Sequence, residues 1–99
     1  MFYINVHEGQ GQRIVAVCDS TLIGKVFEED GKCLDLERHS AFYKGRKASG
    51  KAVLEELKNF SSINIVGENA TALAIENGLV EISQVLRIAG VPYAQAYRL

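Results

Sequence analysis

The chain contains no tryptophan, one methionine, one proline and two cysteines among its 99 residues. Two cysteines cannot build the disulfide scaffold that stabilises many small secreted proteins. A single proline and a hydrophobic share of 47% argue against a low-complexity or disordered chain. No apolar run approaches the roughly 20 residues that a membrane-spanning helix needs. These absences predict a single globular domain over residues 1–99 with its own hydrophobic core.

The N-terminal residues bear on the localisation of the protein, and the cysteines and histidines bear on metal binding. Residues 1–7 lack the basic start and cleavage site of a signal peptide, so we expect a cytoplasmic protein without membrane contact. Cys18 and Cys33 each lie in an apolar stretch, where a reduced cysteine packs as a small hydrophobic residue. Neither cysteine has zinc-ligand spacing to another cysteine or to His7 or His39, so we predict no metal and no cofactor.

Residues 63–79 are the stretch around which the fold is predicted to form. An apolar run over 63–66 indicates a buried strand, and Gly67 marks a tight turn into a helix. Alanine, leucine and isoleucine give this helix a wide apolar arc, which predicts that other elements enclose it. Gly78 suits the left-handed residue that follows a helix.

Two hairpins are predicted in the N-terminal half. Residues 2–7 alternate like a half-buried strand, and residues 13–18 are apolar on both faces, as in a central strand. Asp30-Gly31 is a strong hairpin signal, because a type I′ turn needs positive φ at both central residues. In that register Glu29 faces Lys32, which favours the pairing.

The remaining segments complete an α+β prediction. Residues 38–47 lack periodicity and indicate a loop with one turn of helix, and Ser49 is expected to cap a helix that runs to Phe60. A four-residue turn over 89–92 would place Arg87 opposite Gln95 in a closing hairpin. The sum is a small, mainly antiparallel sheet of hairpins with two helices packed on it.

The segment 45–52 resembles a phosphate-binding P-loop in its two glycines and its lysine. Ala52 stands where a serine or threonine must coordinate magnesium, and no apolar strand precedes the loop. The sequence therefore favours a glycine- and lysine-rich loop that enters a helix.

Charge is segregated within residues 38–54, which contain five cationic residues and no Asp or Glu. Cations attract phosphates and aromatic rings stack on bases, so this segment is a candidate nucleic-acid surface. A solvated loop that only keeps the protein soluble is the alternative. The candidate nucleic-acid-binding residues are Arg38, Lys44, Arg46, Lys47 and Lys51.

Polar residues cluster at the predicted ends of strands and helices. Such residues form shared sites in some proteins, and in others they satisfy backbone groups at helix ends and turns. The structural role is favoured here, because Asp and Asn at these positions usually bond nearby backbone. The candidate polar-site residues are Asp19, Asn64, Glu68, Arg87 and Gln95.

Three blocks, taken in order, carry a resemblance to a known family. They are Val15-Ala16-Val17-Cys18-Asp19 with Leu22-Ile23-Gly24-Lys25, Asn64-Ile65-Val66-Gly67-Glu68 with Ala74-Ile75-Glu76-Asn77-Gly78-Leu79, and Arg87-Ile88-Ala89-Gly90-Val91-Pro92-Tyr93-Ala94-Gln95. The chain resembles the small, mainly archaeal family catalogued as domain of unknown function 424. The resemblance implies a fold, no established activity and no catalytic residues, and its archaeal character suggests a role near translation or RNA handling.

Three functions remain open from the sequence. The first is a non-enzymatic accessory protein that contacts RNA or a ribonucleoprotein through residues 38–51. The second is a protein-interaction module or homo-oligomer that uses a strand edge or the face of Tyr93 and Tyr97. The third is a small enzyme whose pocket gathers Asp19, Asn64, Glu68 and Gln95.

Overall fold

The computed structural model describes residues 1–98. Within that range the chain forms eight β-strands, three α-helices and one 3₁₀ turn, which confirms the predicted α+β class. The strands are β1 (Phe2–Gly9), β2 (Gln12–Asp19), β3 (Val26–Glu29), β4 (Lys32–Asp35), β5 (Arg46–Ala48), β6 (Ser62–Val66), β7 (Leu86–Ile88) and β8 (Val91–Tyr97). The helices are α1 (Ser40–Tyr43), α2 (Gly50–Glu56) and α3 (Glu68–Glu76), and the 3₁₀ turn is Ile82–Gln84. None of the helices in this range is long and apolar enough to cross a membrane.

Six strands form one sheet in the order β5-β1-β2-β6-β8-β7. All of its pairings are antiparallel except that between β2 and β6, which is parallel. The strands β3 and β4 form a separate two-stranded hairpin around Asp30-Gly31. Its register pairs Glu29 with Lys32, as predicted from the turn residues, and it also pairs Phe27 with Leu34.

The main core lies between one face of the sheet and the helices α2 and α3. Inward-facing residues of the central strands β2 and β6 alternate along each strand and meet helix residues that face the sheet. This confirms the prediction of two helices packed on a sheet. The fully buried members include Ile4, Val15, Val17, Val53, Ile63 and Ile65.

The opposite face of the sheet carries a second, smaller core. The hairpin β3–β4, the following turn and α1 cover this face around Cys18, Leu36 and Val66, which are all buried. The sheet is thus covered by helices on one face and partly covered by a hairpin on the other. This arrangement leaves part of the second face open.

The ends of α2 and α3 test the predicted caps. Ser49 caps α2 as expected, since its hydroxyl accepts a hydrogen bond from the Ala52 N–H, but the helix ends at Glu56 rather than at Phe60. Gly78 follows α3 with φ of +70°, as predicted. The prediction that α3 is enclosed is wrong, because Ala72 is exposed and only one side of the helix packs on the sheet.

Two strand predictions and one cysteine prediction are also corrected. Strand β5 was not predicted from the sequence, because its three residues have no periodicity and are held in place by pairing with β1. The closing hairpin turns through two residues, Ala89 and Gly90, both with positive φ. Arg87 therefore pairs with Pro92 rather than with Gln95. Cys33 is exposed on β4 instead of buried, and both cysteines are free.

Candidate functional site

The segment that resembled a P-loop has a different structure. Gly45 packs against β1 so closely that a Cβ atom there would lie 2.5 Å from the Ile4 carbonyl oxygen. The residues after it continue as β5, and Ser49 then starts α2. Because a strand occupies the middle of the segment, its backbone N–H groups do not form a phosphate-binding loop.

The five candidate cations of residues 38–51 are all exposed, but they do not form one surface. Arg46 and Lys47 are adjacent in β5, and adjacent strand residues point to opposite faces of a sheet. Arg46 pairs with Ile4 of β1, whose side chain lies in the main core, so Arg46 projects on the helix side. There its guanidinium lies 4.0 Å from a carboxylate oxygen of Glu56.

Lys44 and Lys47 converge on the other side of the sheet edge. Lys47 pairs with Tyr3 of β1, and Lys44 follows directly after α1. The ammonium groups of both lysines lie 5.6 Å from the centre of the Tyr3 ring. Such cation–π contacts stabilise an exposed site by about 0.5–1 kcal/mol each. We call Tyr3, Lys44 and Lys47 the lysine–tyrosine cluster.

The other two cations of the segment lie apart from these contacts. Arg38 is in the turn before α1, where the Asp35 carboxylate accepts hydrogen bonds from the backbone N–H groups of Glu37 and Arg38. Lys51 is in the first turn of α2. Within residues 1–98, neither side chain has a carboxylate partner within 4 Å.

Asp19 has a structural partner far away in the sequence. At the end of β2 its carboxylate accepts hydrogen bonds from the backbone N–H groups of Asn69 (3.0 Å) and Ala70 (2.8 Å). These are N–H groups of the first turn of α3, which have no partner within the helix. A buried carboxylate thus occupies the position where an anion would otherwise bind at this helix N-terminus.

Glu68 and Arg87 lie beside this cap and form an exposed ion pair of 2.7 Å. Arg87 also donates to the carbonyl oxygen of Gly90 in the closing turn. A shallow cavity of about 270 Å³ adjoins these residues and is lined by Asp19, Thr21, Leu22, Glu68, Asn69, Gly90, Val91 and Pro92. Its carboxylates are bonded to a helix end or to an arginine, so the cavity has no free acid or base in a reactive geometry.

Asn64 and Gln95 lie on the opposite face of the sheet from Asp19. They are paired across β6 and β8, and the Gln95 amide donates to the Asn64 side-chain oxygen over 2.7 Å. The neighbours of Asn64 in the strand, Ile63 and Ile65, point into the main core, so Asn64 points away from α3. The candidate polar residues therefore form two separate groups rather than one pocket.

Tyr97 continues the polar row on β8 and is 72% exposed. Its hydroxyl donates to the side-chain oxygen of Gln95 over 3.4 Å. We call Asn64, Gln95 and Tyr97 the amide–tyrosine face. Tyr97 was predicted to lie on an interaction surface, but its proximity to Asn64 was not predicted, because the sequence does not show that β6 pairs with β8.

Tyr3 is a second residue of interest that the sequence analysis did not single out. The alternation of residues 2–7 indicates that Tyr3 faces away from the main core, and this was the only feature of the sequence that could have identified it. Nearby, the His7 ring stacks on Phe42 of α1 at a centroid distance of 4.6 Å, and His7 also contacts the Phe42 carbonyl oxygen. Asn5 donates to the Ala41 carbonyl oxygen, so β1 fixes the position of α1.

Two groups of the second core have perturbed acidity. Burial, with a smaller contribution from Asp19, raises the pKa of the Cys18 thiol to about 12. Burial and the neighbouring Cys18 also raise the pKa of Tyr43 to about 12. Both groups are neutral at physiological pH, so neither serves as a nucleophile or a base there. Among residues 1–98, no three metal-ligating side chains lie together.

Comparisons with known proteins identify relatives but no activity. A family model described as "Protein of unknown function (DUF424)" matches residues 7–99. The chain is similar to a solved structure described as the crystal structure of an uncharacterized conserved protein from Methanopyrus kandleri, with a TM-score of 0.80 and 24% identity. That similarity covers 99% of this chain and 91% of the other, and it shows a shared fold. No curated protein matches the chain.

Proposed function

This chain belongs to the DUF424 family of proteins of unknown function, and on that premise we propose that it is a non-enzymatic accessory protein that binds RNA or a ribonucleoprotein. The proposed contact is the lysine–tyrosine cluster at the edge of the sheet. The observation that carries the proposal is that two ammonium groups approach one aromatic ring. Lysines attract phosphates, and a tyrosine ring can stack on a base.

The charge arrangement supports this proposal. Within residues 1–98, no carboxylate lies within 4 Å of Lys44 or Lys47. Two ammonium groups near one ring repel each other, and a bound anion would reduce that repulsion. A phosphate of an RNA backbone supplies such an anion.

Lys51 lies apart from the lysine–tyrosine cluster and is not part of the proposed contact. It lies in the first turn of α2, which contains no acidic residue. The helix dipole disfavours a cation at this end by about 0.3–1 kcal/mol, so Lys51 does not stabilise the helix.

A homo-oligomer formed by strand addition has less support. The edge strands β5 and β7 have three residues each, and β5 exposes Arg46 and Lys47. Short edges that carry charged side chains disfavour pairing with another chain.

The test is a titration of fluorescently labelled, mixed-sequence single-stranded RNA at about 50 mM and about 200 mM salt. Three proteins are compared: the wild type, K44Q/K47Q and a control, K25Q/K32Q. The control loses the same two charges from the exposed residues Lys25 and Lys32 near the β3–β4 hairpin. Circular dichroism and urea unfolding of each variant establish that its fold is retained.

We expect wild-type binding to weaken with salt and the K44Q/K47Q variant to lose affinity. Each phosphate contact of a single strand contributes about 0.7 to the slope of log K against log salt, so the variant's slope should be smaller by roughly 1.4. The control should keep the wild-type slope. Equal losses in the two double variants, or no binding even at low salt, would overturn the proposal.

A further inference from the structure

The face of the sheet opposite α2 and α3 is covered only in part. The hairpin β3–β4 and α1 pack over the second core, where Cys18 and Val66 are buried. Towards the other end of the strands, the C-terminal part of β8 remains open, and Tyr97 is 72% exposed. The uncovered surface is centred on the amide–tyrosine face.

The strand register arranges this surface in regular rows. One row runs across β1, β2, β6 and β8 through Asn5, Ala16, Asn64 and Gln95. The next row runs through His7, Ile14, Ser62 and Tyr97. The β1 and β2 parts of these rows are covered, since Asn5 and His7 contact α1 and Ala16 is buried. The exposed members are Gln95 and Tyr97 on β8, and neither row contains a lysine, an arginine or a carboxylate.

The hydrogen bonds of the amide–tyrosine face leave groups available for a ligand. The Asn64 side-chain oxygen already accepts from Gln95, and the Gln95 oxygen accepts from the Tyr97 hydroxyl. Within residues 1–98, the side-chain nitrogen of Asn64 donates no hydrogen bond. Oriented amides beside an exposed aromatic ring match an unpaired base, which offers both a flat face and polar edges.

The lysine–tyrosine cluster lies on the same face of the sheet. Tyr3 belongs to the row that passes through Cys18, Val66 and Tyr93. Its strand, β1, is three strand spacings from β8, or about 14 Å, and its row meets β8 four residues before Tyr97, or about 13 Å along the strand, so the two sites are about 19 Å apart. A single strand of a few nucleotides spans that distance, and binding folds of this kind contact roughly 4–16 nucleotides. The cations are therefore placed for phosphates and the uncharged rows for bases.

We propose that the amide–tyrosine face is a base-binding platform for single-stranded RNA. Tyr97 stacks on an unpaired base, and the Asn64–Gln95 pair hydrogen-bonds to a base edge. This inference rests on the proposed RNA-binding function and adds that the bound RNA is single-stranded. Phosphates contact the lysine–tyrosine cluster, and bases contact the amide–tyrosine face.

The experiment compares wild type, Tyr97→Ala and Tyr97→Phe in binding to a labelled single-stranded RNA of roughly 12 nucleotides. The same RNA annealed to its complement serves as a duplex control, because pairing hides the base faces. Tyr97 is largely exposed, so truncation should leave the fold intact, and urea unfolding verifies this. The chain has no tryptophan, so Tyr97→Trp introduces a single fluorescent reporter of stacking.

Tyr97→Ala should weaken binding to the single strand by about tenfold or more without changing the salt slope, because no charge is lost. Tyr97→Phe should bind within about twofold of wild type, since the ring remains. Addition of the single strand should quench the Tyr97→Trp emission, and binding to the duplex should not depend on residue 97.

Two negative results are distinguishable. If the wild type binds RNA in a manner that depends on Lys44 and Lys47 but Tyr97→Ala binds equally well, the platform is overturned and the proposed function stands. If the wild type binds no RNA at low salt, both are overturned, and the exposed face then becomes a candidate for protein contact.

Discussion

The carboxylate of Asp19 occupies the space that a Cβ atom on Gly67 would need. Gly67 has φ of +112°, and its carbonyl oxygen accepts a hydrogen bond from the Thr71 hydroxyl. The absence of a side chain at this junction lets the end of β2 reach the first turn of α3. The turn from β6 into α3 and the capping of α3 by Asp19 therefore both depend on glycine at position 67.

We predict that Gly67→Ala destabilises the protein more than Gly78→Ala does. Both glycines have positive φ, so alanine at either position carries backbone strain of about 1–3 kcal/mol. At Gly67 the new methyl group also collides with the Asp19 carboxylate, whereas a Cβ atom at Gly78 has no atom within 4 Å. Urea unfolding should show a loss of at least about 2 kcal/mol for Gly67→Ala. Equal urea midpoints for Gly67→Ala and Gly78→Ala would contradict the prediction that the contact with Asp19 adds to the destabilisation.

The structural role of Asp19 was expected from the sequence, but its partner was not. An aspartate at a strand end usually bonds its own nearby backbone, which is a local pattern. Here the bonded N–H groups belong to Asn69 and Ala70, about fifty residues later. Only the parallel pairing of β2 with β6 brings these segments together, and sequence periodicity does not reveal which strands pair.

The two later hairpins show what local sequence does determine. Asp30-Gly31 fits the residue preference of its turn, so the register could be predicted. Ala89 has φ of +49°, a conformation that alanine rarely adopts, and the sequence therefore did not reveal the two-residue turn and predicted a four-residue turn over 89–92. The position of the turn determines which residue pairs with Arg87. Because the turn was predicted two residues too long, Arg87 was predicted to face Gln95, whereas it pairs with Pro92.

The free energy of unfolding should fall as pH rises from about 9 to about 12. The Cys18 thiol ionises near 9.0 when unperturbed, but burial raises its pKa in the folded protein to about 12. In this window the unfolded chain binds fewer protons than the folded one, so stability decreases with pH. Tyr43, raised from 10.0 to about 12, acts in the same direction. Each group contributes at most about 1.4 kcal/mol per pH unit.

Urea midpoints measured across this pH range check the alkaline prediction. Tyr43→Phe and Cys18→Ala should each flatten the pH dependence, although Cys18→Ala also lowers stability at every pH because it leaves a small void in the second core. A double variant whose pH slope equals that of the wild type would show that other groups cause the alkaline loss.

The two thiols should differ sharply in reactivity. Cys33 is exposed on β4 and Cys18 is buried, so a disulfide reagent such as Ellman's should titrate one thiol in the folded protein and two in denaturant. Partial loss of hydration and the charges of Glu28 and Asp35 raise the pKa of the Cys33 thiol. Glu28→Gln should therefore increase its reaction rate near neutral pH, and Cys33→Ser should abolish the fast phase. Two fast thiols in the native protein would contradict the placement of Cys18.

Arg13 connects the sheet to the segment that follows α2. Its guanidinium donates to the carbonyl oxygens of Asn59 (2.8 Å) and Glu56 (3.2 Å) and to the carboxylates of Glu56 (3.1 Å) and Glu8 (3.2 Å). The side chain is only 23% exposed. Each of these bonds uses a fixed position of the planar guanidinium group, which a lysine ammonium cannot reproduce.

We therefore predict that Arg13→Lys costs about 1.5–3 kcal/mol even though the charge is kept, because hydrogen bonds to a charged group are lost and the carbonyl groups of Asn59 and Glu56 lose a partner. The matched control is Lys58→Met, which removes an ion pair with Glu55 whose side chains are 72% and 60% exposed. Exposed pairs of this kind contribute roughly 0.2–1 kcal/mol. Urea unfolding of the two variants separates the effects: a loss in Arg13→Lys no larger than in Lys58→Met would mean that the guanidinium geometry at Arg13 adds nothing beyond its charge.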